Sequence, residues 1–197
     1  MNRPALALGA LAALAACHSL PSRPDLGPGP EVRALLASMP EWRAQGRVAV
    51  RSATGGFSAS FDWHQTGDRG ELGVHGPFGT GAARISRTPE LILIESGQGP
   101  AVEVPSPFDS LEPALTARLG FALPIEPLRY WVLGVPAPGL SSEPGSGGDF
   151  RQAGWTVSLA GFEPVNGAPG SLPTRLELTR QATRVRVIID AWQVGSP

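Results

Sequence analysis

The sequence predicts a mainly β protein, a barrel or strongly curved antiparallel sheet with a few short helices added at one end. Three observations carry this. Short apolar runs alternate with period two; 25 Gly and 21 Pro among 197 residues cluster in the turns between them; and helical spacing is confined to brief segments. Alternation by itself does not separate such a sheet from a sandwich.

The chain opens with Met1-Asn2-Arg3 and the apolar run Ala5 to Ala16, a charged start and a stretch too short to span a bilayer. Residues 1–16 therefore read as an export signal outside the fold. The run ends in Leu14-Ala15-Ala16-Cys17, which resembles the lipobox of bacterial lipoproteins, whose Cys is acylated and becomes the new N-terminus. The alternative is an ordinary signal peptide with an incidental Cys. Cys17 is the only cysteine, so no intramolecular disulfide accounts for it. The expected lipid is N-acyl and S-diacylglycerol on Cys17; a single chain binds marginally, and each further buried CH₂ adds roughly 0.8 kcal/mol. His18 stands where an Asp would be, which in lipoproteins generally is compatible with export onward to the outer membrane. Residues 17–30, rich in Pro and Gly, read as the lipidated Cys and a flexible tether, and residues 31–197 as one domain.

Val32, Leu35, Leu36 and Met39 fall at i, i+3, i+4 and i+7, a short amphipathic helix over Glu31–Met39 that Pro40 ends. Trp42 leads into a first strand at Gly46–Arg51, and Thr54-Gly55-Gly56 turns the chain. In the next strand Phe57, Ala59, Phe61 and Trp63 alternate with Ser58, Ser60, Asp62 and His64, giving one large apolar face and one wet face. After the turn Thr66-Gly67-Asp68, the run Leu72-Gly73-Val74-His75 is the antiparallel partner, and Gly76-Pro77-Phe78-Gly79-Thr80-Gly81 follows as a glycine loop. A Phe at such a tip is either tucked back onto the sheet or held out for a purpose.

Ala82–Ser86, Leu91–Glu95 and Val102–Val104 read as three more strands. Asp109 with Glu112 three residues on starts a helix with Leu111, Leu115 and Leu119 on one face. A second helix puts Leu128, Trp131 and Val132 together and closes at Gly134. Trp131 reads equally as a core aromatic or as a ligand-lining one. Gly139–Gly148 is a Gly/Ser/Pro loop. Strands then follow at Trp155–Leu159, Arg175–Arg180 and Arg184–Ile189 running on to Val194, the last with Val185, Val187 and Ile189 facing one way and Arg184 and Arg186 the other.

Net charge is −1 and all basic residues are Arg, scattered along the sequence, so nothing predicts a nucleic-acid surface. Beyond the signal no run is long enough to cross a membrane as a helix. His18, His64 and His75 suggest no triad or metal pair, because no G-x-S-x-G or H-E-x-x-H pattern is present. Gly76, Gly79 and Gly81 lack the Lys-Ser/Thr ending of a phosphate loop. The expectation is a non-enzyme with no metal and no soluble cofactor.

Three separated motifs, WHQTGD followed by GPFGTGAARI, then LRYWVLGVPAP, then RVRVIIDAW, together resemble the LolB family of outer-membrane lipoprotein receptors, over roughly Trp42 to Val194. The resemblance implies an incompletely closed antiparallel β-barrel, a strongly curved sheet holding an apolar cavity for acyl chains. It also implies the partners: a periplasmic lipoprotein carrier of the LolA type, client lipoproteins with their acyl chains, and the outer membrane, where a monomer would sit lipid-anchored on the periplasmic face. In this family an apolar residue, commonly Leu, in the protruding loop is important for membrane insertion; here the position is Phe78. For the cavity the apolar faces nominate Trp63 and Trp131, with Phe61, Leu128 and Val187 behind them. The competing expectation is a structural or scaffolding envelope lipoprotein that binds a protein partner through a filled barrel. A diffusing lipid carrier fits poorly with the expected anchor at Cys17, and a hydrolase would need a nucleophile paired with a base.

Overall fold

The first and last strands of the domain lie side by side at the middle of one antiparallel sheet, and the chain winds outward from them in both directions. In the computed structural model, residues 28–53, 55–77, 82–97, 99–107, 111–119 and 123–195 are described. Cys17, His18, Phe78 and the helix-starting Asp109 lie outside them. The first half supplies β1 (Glu41–Ser52), β2 (Gly55–Thr66), β3 (Arg69–His75), β4 (Ala83–Arg87), β5 (Leu91–Ser96) and β6 (Val102–Pro105). The second half supplies β7 (Ser142–Pro144), β8 (Phe150–Gln152), β9 (Trp155–Glu163), β10 (Leu172–Arg180) and β11 (Thr183–Val194). Among the described residues the helices are α1 (Pro30–Ala37), α2 (Leu111–Leu119) and α3 (Ile125–Trp131).

Strand order is β6-β5-β4-β3-β2-β1-β11-β10-β9-β8-β7, so β6 and β7 form the two edges and do not pair with each other. The sheet is therefore an unclosed one. Apart from the β1–β11 junction every neighbour is a sequence neighbour, the arrangement that short turns produce. The expected antiparallel, incompletely closed architecture is what forms.

Period-two alternation becomes burial. Along β2, Ala59, Phe61, Trp63 and Gln65 are buried while Ser58, Ser60 and Asp62 are exposed. Along β11, Val185, Val187 and Ile189 are buried and Arg184 and Arg186 exposed. Every strand except β7 sends at least one side chain into a single core shared with all three helices, which requires the sheet to curl around them.

A bulge shapes the centre. Gln45 pairs with Ala191 and Gly46 with Ile189, leaving Asp190 as the extra residue. A Cβ on Gly46 would lie 2.0 Å from the Ile188 carbonyl oxygen, so only glycine lets the strands approach here. At the end of α3, Gly134 takes φ 80° and donates its N–H to the Trp131 carbonyl at 2.9 Å, turning the chain.

Several expectations shift in detail. β1 begins at Glu41 rather than Gly46, with Trp42 buried inside it. The Gly139–Gly148 loop contains β7, and β8 follows it. Leu35, expected on the apolar face of α1, is 56% exposed, whereas Leu36 is fully buried.

Candidate functional site

Beneath α3 the inward faces of the central strands leave a small apolar space. Phe61 and Trp63 come from β2, Leu72 and Val74 from β3, Val48 from β1, and Val185 and Val187 from β11; Leu123, Leu128 and Val132 cover them. The cavity measures about 40 Å³, and none of its lining residues is polar. Larger hollows are open grooves on the outer surface. The inner space can hold an apolar group and offers it no hydrogen bond, which selects against water and polar ligands.

Of the five residues nominated for a cavity, Phe61, Trp63, Leu128 and Val187 meet in this space. Trp131 does not line it. Its indole N–H donates to Gln152 Oε1 at 2.8 Å and its ring meets Phe150 edge-on, with centroids 6.2 Å apart. Cys17 and Phe78 lie outside the described residues.

Two buried amides, absent from the sequence expectations, brace the aromatic residues. Gln65 accepts the Trp63 indole N–H at 3.2 Å and donates to the Gly67 carbonyl at 2.8 Å. Gln152 accepts from both Trp131 and the Ala137 N–H and donates to the carbonyls of Ala137 and Leu140. Both amides, both indoles and Ala137 are buried, where an unmatched amide is costly. The sequence signal for Gln65 is its position two residues after Trp63, on the same inward face. Trp42 stacks obliquely on Trp63 and meets Trp192, with centroids 5.2 and 5.7 Å apart, closing the end of the core beside Gln65.

An ion-pair network also escaped sequence reasoning. Arg87 of β4 grips Glu126 of α3 through Nε–Oε1 at 2.6 Å and Nη2–Oε2 at 3.0 Å, and donates to the Asp68 carbonyl. Arg129 of α3 donates to Asp68 Oδ1 at 2.9 Å. That hydrogen bond first, and the Arg129 charge second, hold the Asp68 carboxyl below the usual carboxylate range. Together these contacts tie the helix covering the cavity to the β2–β3 turn and to β4.

The two described histidines do not converge. His64 Nε2 lies 3.0 Å from Glu41 and His75 Nε2 2.7 Å from Asp62, at separate points of the outer face. Among the described residues no three His, Cys, Asp or Glu side chains gather as a metal site, and no helix is long and apolar enough to cross a membrane.

Residues 40–192 match the family model described as outer membrane lipoprotein LolB. The chain belongs to the LolB family. Relatives described as outer-membrane lipoprotein LolB include that of Halorhodospira halophila, 35% identical over 79% of this chain and 77% of the relative. That of Alkalilimnicola ehrlichii is 33% identical over 99% of this chain and all of the relative. Among solved structures, a LolA superfamily protein of Nitrosomonas europaea superposes with TM-score 0.52 at 9% identity, covering 85% of this chain and 93% of its own. A DUF1329 family protein of Desulfovibrio piger gives 0.53 at 8% identity, over 83% and 90%. At such identities these two speak for the fold alone. LolB membership makes the chain an outer-membrane lipoprotein of the lipoprotein-localisation system, in a family that is not enzymatic.

Proposed function

We propose that this protein is the receptor that takes lipoproteins from a LolA-type periplasmic carrier, shelters their acyl chains between sheet and α3, and releases them into the outer membrane. The observation that carries this reading is the wholly apolar space beneath Leu123, Leu128 and Val132. At about 40 Å³ the space takes only a small group. An acyl chain needs many times that, so loading requires α3 and its flanking segments to move outward from β2 and β11.

No ATP enters this mechanism. Transfer runs down a gradient of affinity, and each tenfold step needs about 1.4 kcal/mol. The acylated Cys17, carrying N-acyl and S-diacylglycerol lipid, keeps the receptor on the periplasmic face, and the bilayer is the deepest sink. Phe78 enters that bilayer in the last step, where full burial of such a side chain stabilises by roughly 1.5 to 3 kcal/mol.

The deciding experiment loads an acylated client onto purified carrier and adds the receptor chain from residue 17 with Cys17→Ser. One-way movement of the client onto the receptor is expected. A folded receptor that leaves the client on an active carrier would instead favour a scaffolding envelope lipoprotein, the reading to which the small volume of the cavity lends weight.

A further inference from the structure

On the outer face of the sheet, β1 and β11 set arginines side by side. Arg51 stands opposite Arg184 and Ala49 opposite Arg186, with Arg47 two residues back along β1. All four arginines are exposed. Like charges directly opposed weaken a strand pair, so packing gives no reason for this placement. Arg47 is matched by Asp190, at 2.9 and 3.1 Å. Arg184 and Arg186 share the single carboxylate of Glu177, at 3.3 and 3.1 Å. Arg51 has no carboxylate partner among the described residues. Three guanidinium groups thus face one carboxylate at this end of the strands. The next carboxylate inward, Asp62, is engaged by His75.

Between the arginines the outward side chains are small apart from Ile188, which pairs with Arg47. Ala49, Ser58 and Ser60 floor a groove of about 570 Å³ whose rim carries Arg47, Arg186 and His75. It holds no Trp, Tyr or Phe, the anchors that protein interfaces concentrate at their centres. Past Gly76 and Pro77 it adjoins a neighbouring groove bordered by Arg51, Gly55, Gly56 and Phe57.

We propose that this arginine-rimmed groove binds the phosphodiester headgroups of anionic phospholipid, laying the outer face of β1 and β11 against a bilayer. Guanidinium forks match phosphate oxygens two at a time, and the small floor lets a headgroup descend between them. Ser58 adds a hydroxyl donor. Gly76-Pro77, at the groove's edge, leads directly in sequence to Phe78. The proposal rests on the receptor reading only in placing the protein at a membrane surface.

The test uses residues 17–197 with Cys17→Ser, so that no acyl anchor masks weaker contacts, and far-UV dichroism and melting are compared for every variant. Co-sedimentation is measured with phosphatidylcholine vesicles and with phosphatidylcholine–phosphatidylglycerol vesicles. Binding is expected to be stronger on the anionic vesicles and to fall with salt. Arg51→Gln and Arg184→Gln should each weaken that binding about fivefold, and the double variant carrying both should weaken it further, with the neutral vesicles unaffected. Where the double variant melts early, Arg51→Gln alone serves, because it strands no carboxylate. Phe78→Glu should instead lower binding to both vesicle types alike, which separates loop insertion from headgroup recognition. Binding indifferent to phosphatidylglycerol, or a folded double variant that binds anionic vesicles like the parent, overturns the proposal without touching client transfer, which reports the cavity. So does a double variant that keeps vesicle binding but loses a purified carrier, since the groove would then be a protein-docking surface.

Discussion

Arg87 and Glu126 meet through two parallel hydrogen bonds of 2.6 and 3.0 Å, joining β4 to the helix that covers the apolar cavity. The Arg87 side chain is only 10% exposed. Removing one partner leaves the other partly desolvated without its match, a larger loss than for a surface pair. Glu126→Gln should therefore lower stability by about 2 kcal/mol, an effect diluted from the fully buried case because Glu126 reaches solvent. Urea unfolding followed by Trp fluorescence measures this. The same variant should take up an apolar probe faster, because α3 is less firmly held; unchanged uptake kinetics would mean that loading does not move this helix.

Asp68 gives the network a pH dependence of definite sign. Its folded-state carboxyl is held below its ordinary value by Arg129. A depressed carboxylate contributes stability that is present above the unfolded-state value, near 4, and is lost as pH falls through the folded-state value. Asp68→Asn should cost stability at neutral pH and next to nothing at strongly acid pH. The urea midpoints of parent and variant should converge on acidification. Parallel curves would show that the Arg129 contact does not tune this carboxyl.

The alternation that predicts β2 and β11 is legible because each has one buried and one wet face, and the sheet follows from such runs separated by short turns. β7 is not legible for the opposite reason: Ser142, Glu143 and Pro144 are all exposed, so no face leaves a pattern. β8 shows a single apolar residue, Phe150, beside the polar but buried Gln152. Helical spacing over-assigns one residue at α1: Val32, Leu36 and Met39 meet the core as spaced, while Leu35 is left in solvent. At the site, apolar faces suffice to bring Phe61, Trp63, Leu128 and Val187 to one region, since inward strand positions and a helix stripe share one core. They do not separate Trp131 from that set. Its exclusion depends on Gln152, twenty-one residues away, and the grip of Arg87 on Glu126 spans thirty-nine; neither separation carries a local signal.

Gly46 tests the bulge at the sheet's centre. A methyl there would collide with the Ile188 carbonyl, which belongs to backbone and cannot swing aside. Gly46→Ala should cost at least about 2 kcal/mol, within the range for overpacking. Gly97→Ala, where an added Cβ meets nothing within 4 Å, should stay within about 0.5 kcal/mol of the parent. Equal melting temperatures for the two variants would contradict the register of β1 against β11.

Trp63 and Trp131 are both buried, yet only Trp63 faces the apolar cavity. Their indole groups are held apart by different amides, Gln65 for one and Gln152 for the other. A fatty acid carrying a spin label along its chain quenches only nearby indoles, so bound ligand should dim Trp63 strongly and Trp131 weakly. Trp63→Phe should then lower the quenchable emission, the remainder coming from Trp42 5.2 Å away, whereas Trp131→Phe should leave it nearly intact. Either change keeps a ring in the core, and the lost indole hydrogen bond costs about 1 kcal/mol, so both variants should remain folded. If Trp131→Phe removes the quenching instead, the chain loads between α3 and β8, and the cavity nomination moves from Phe61, Trp63, Leu128 and Val187 to the surroundings of Phe150.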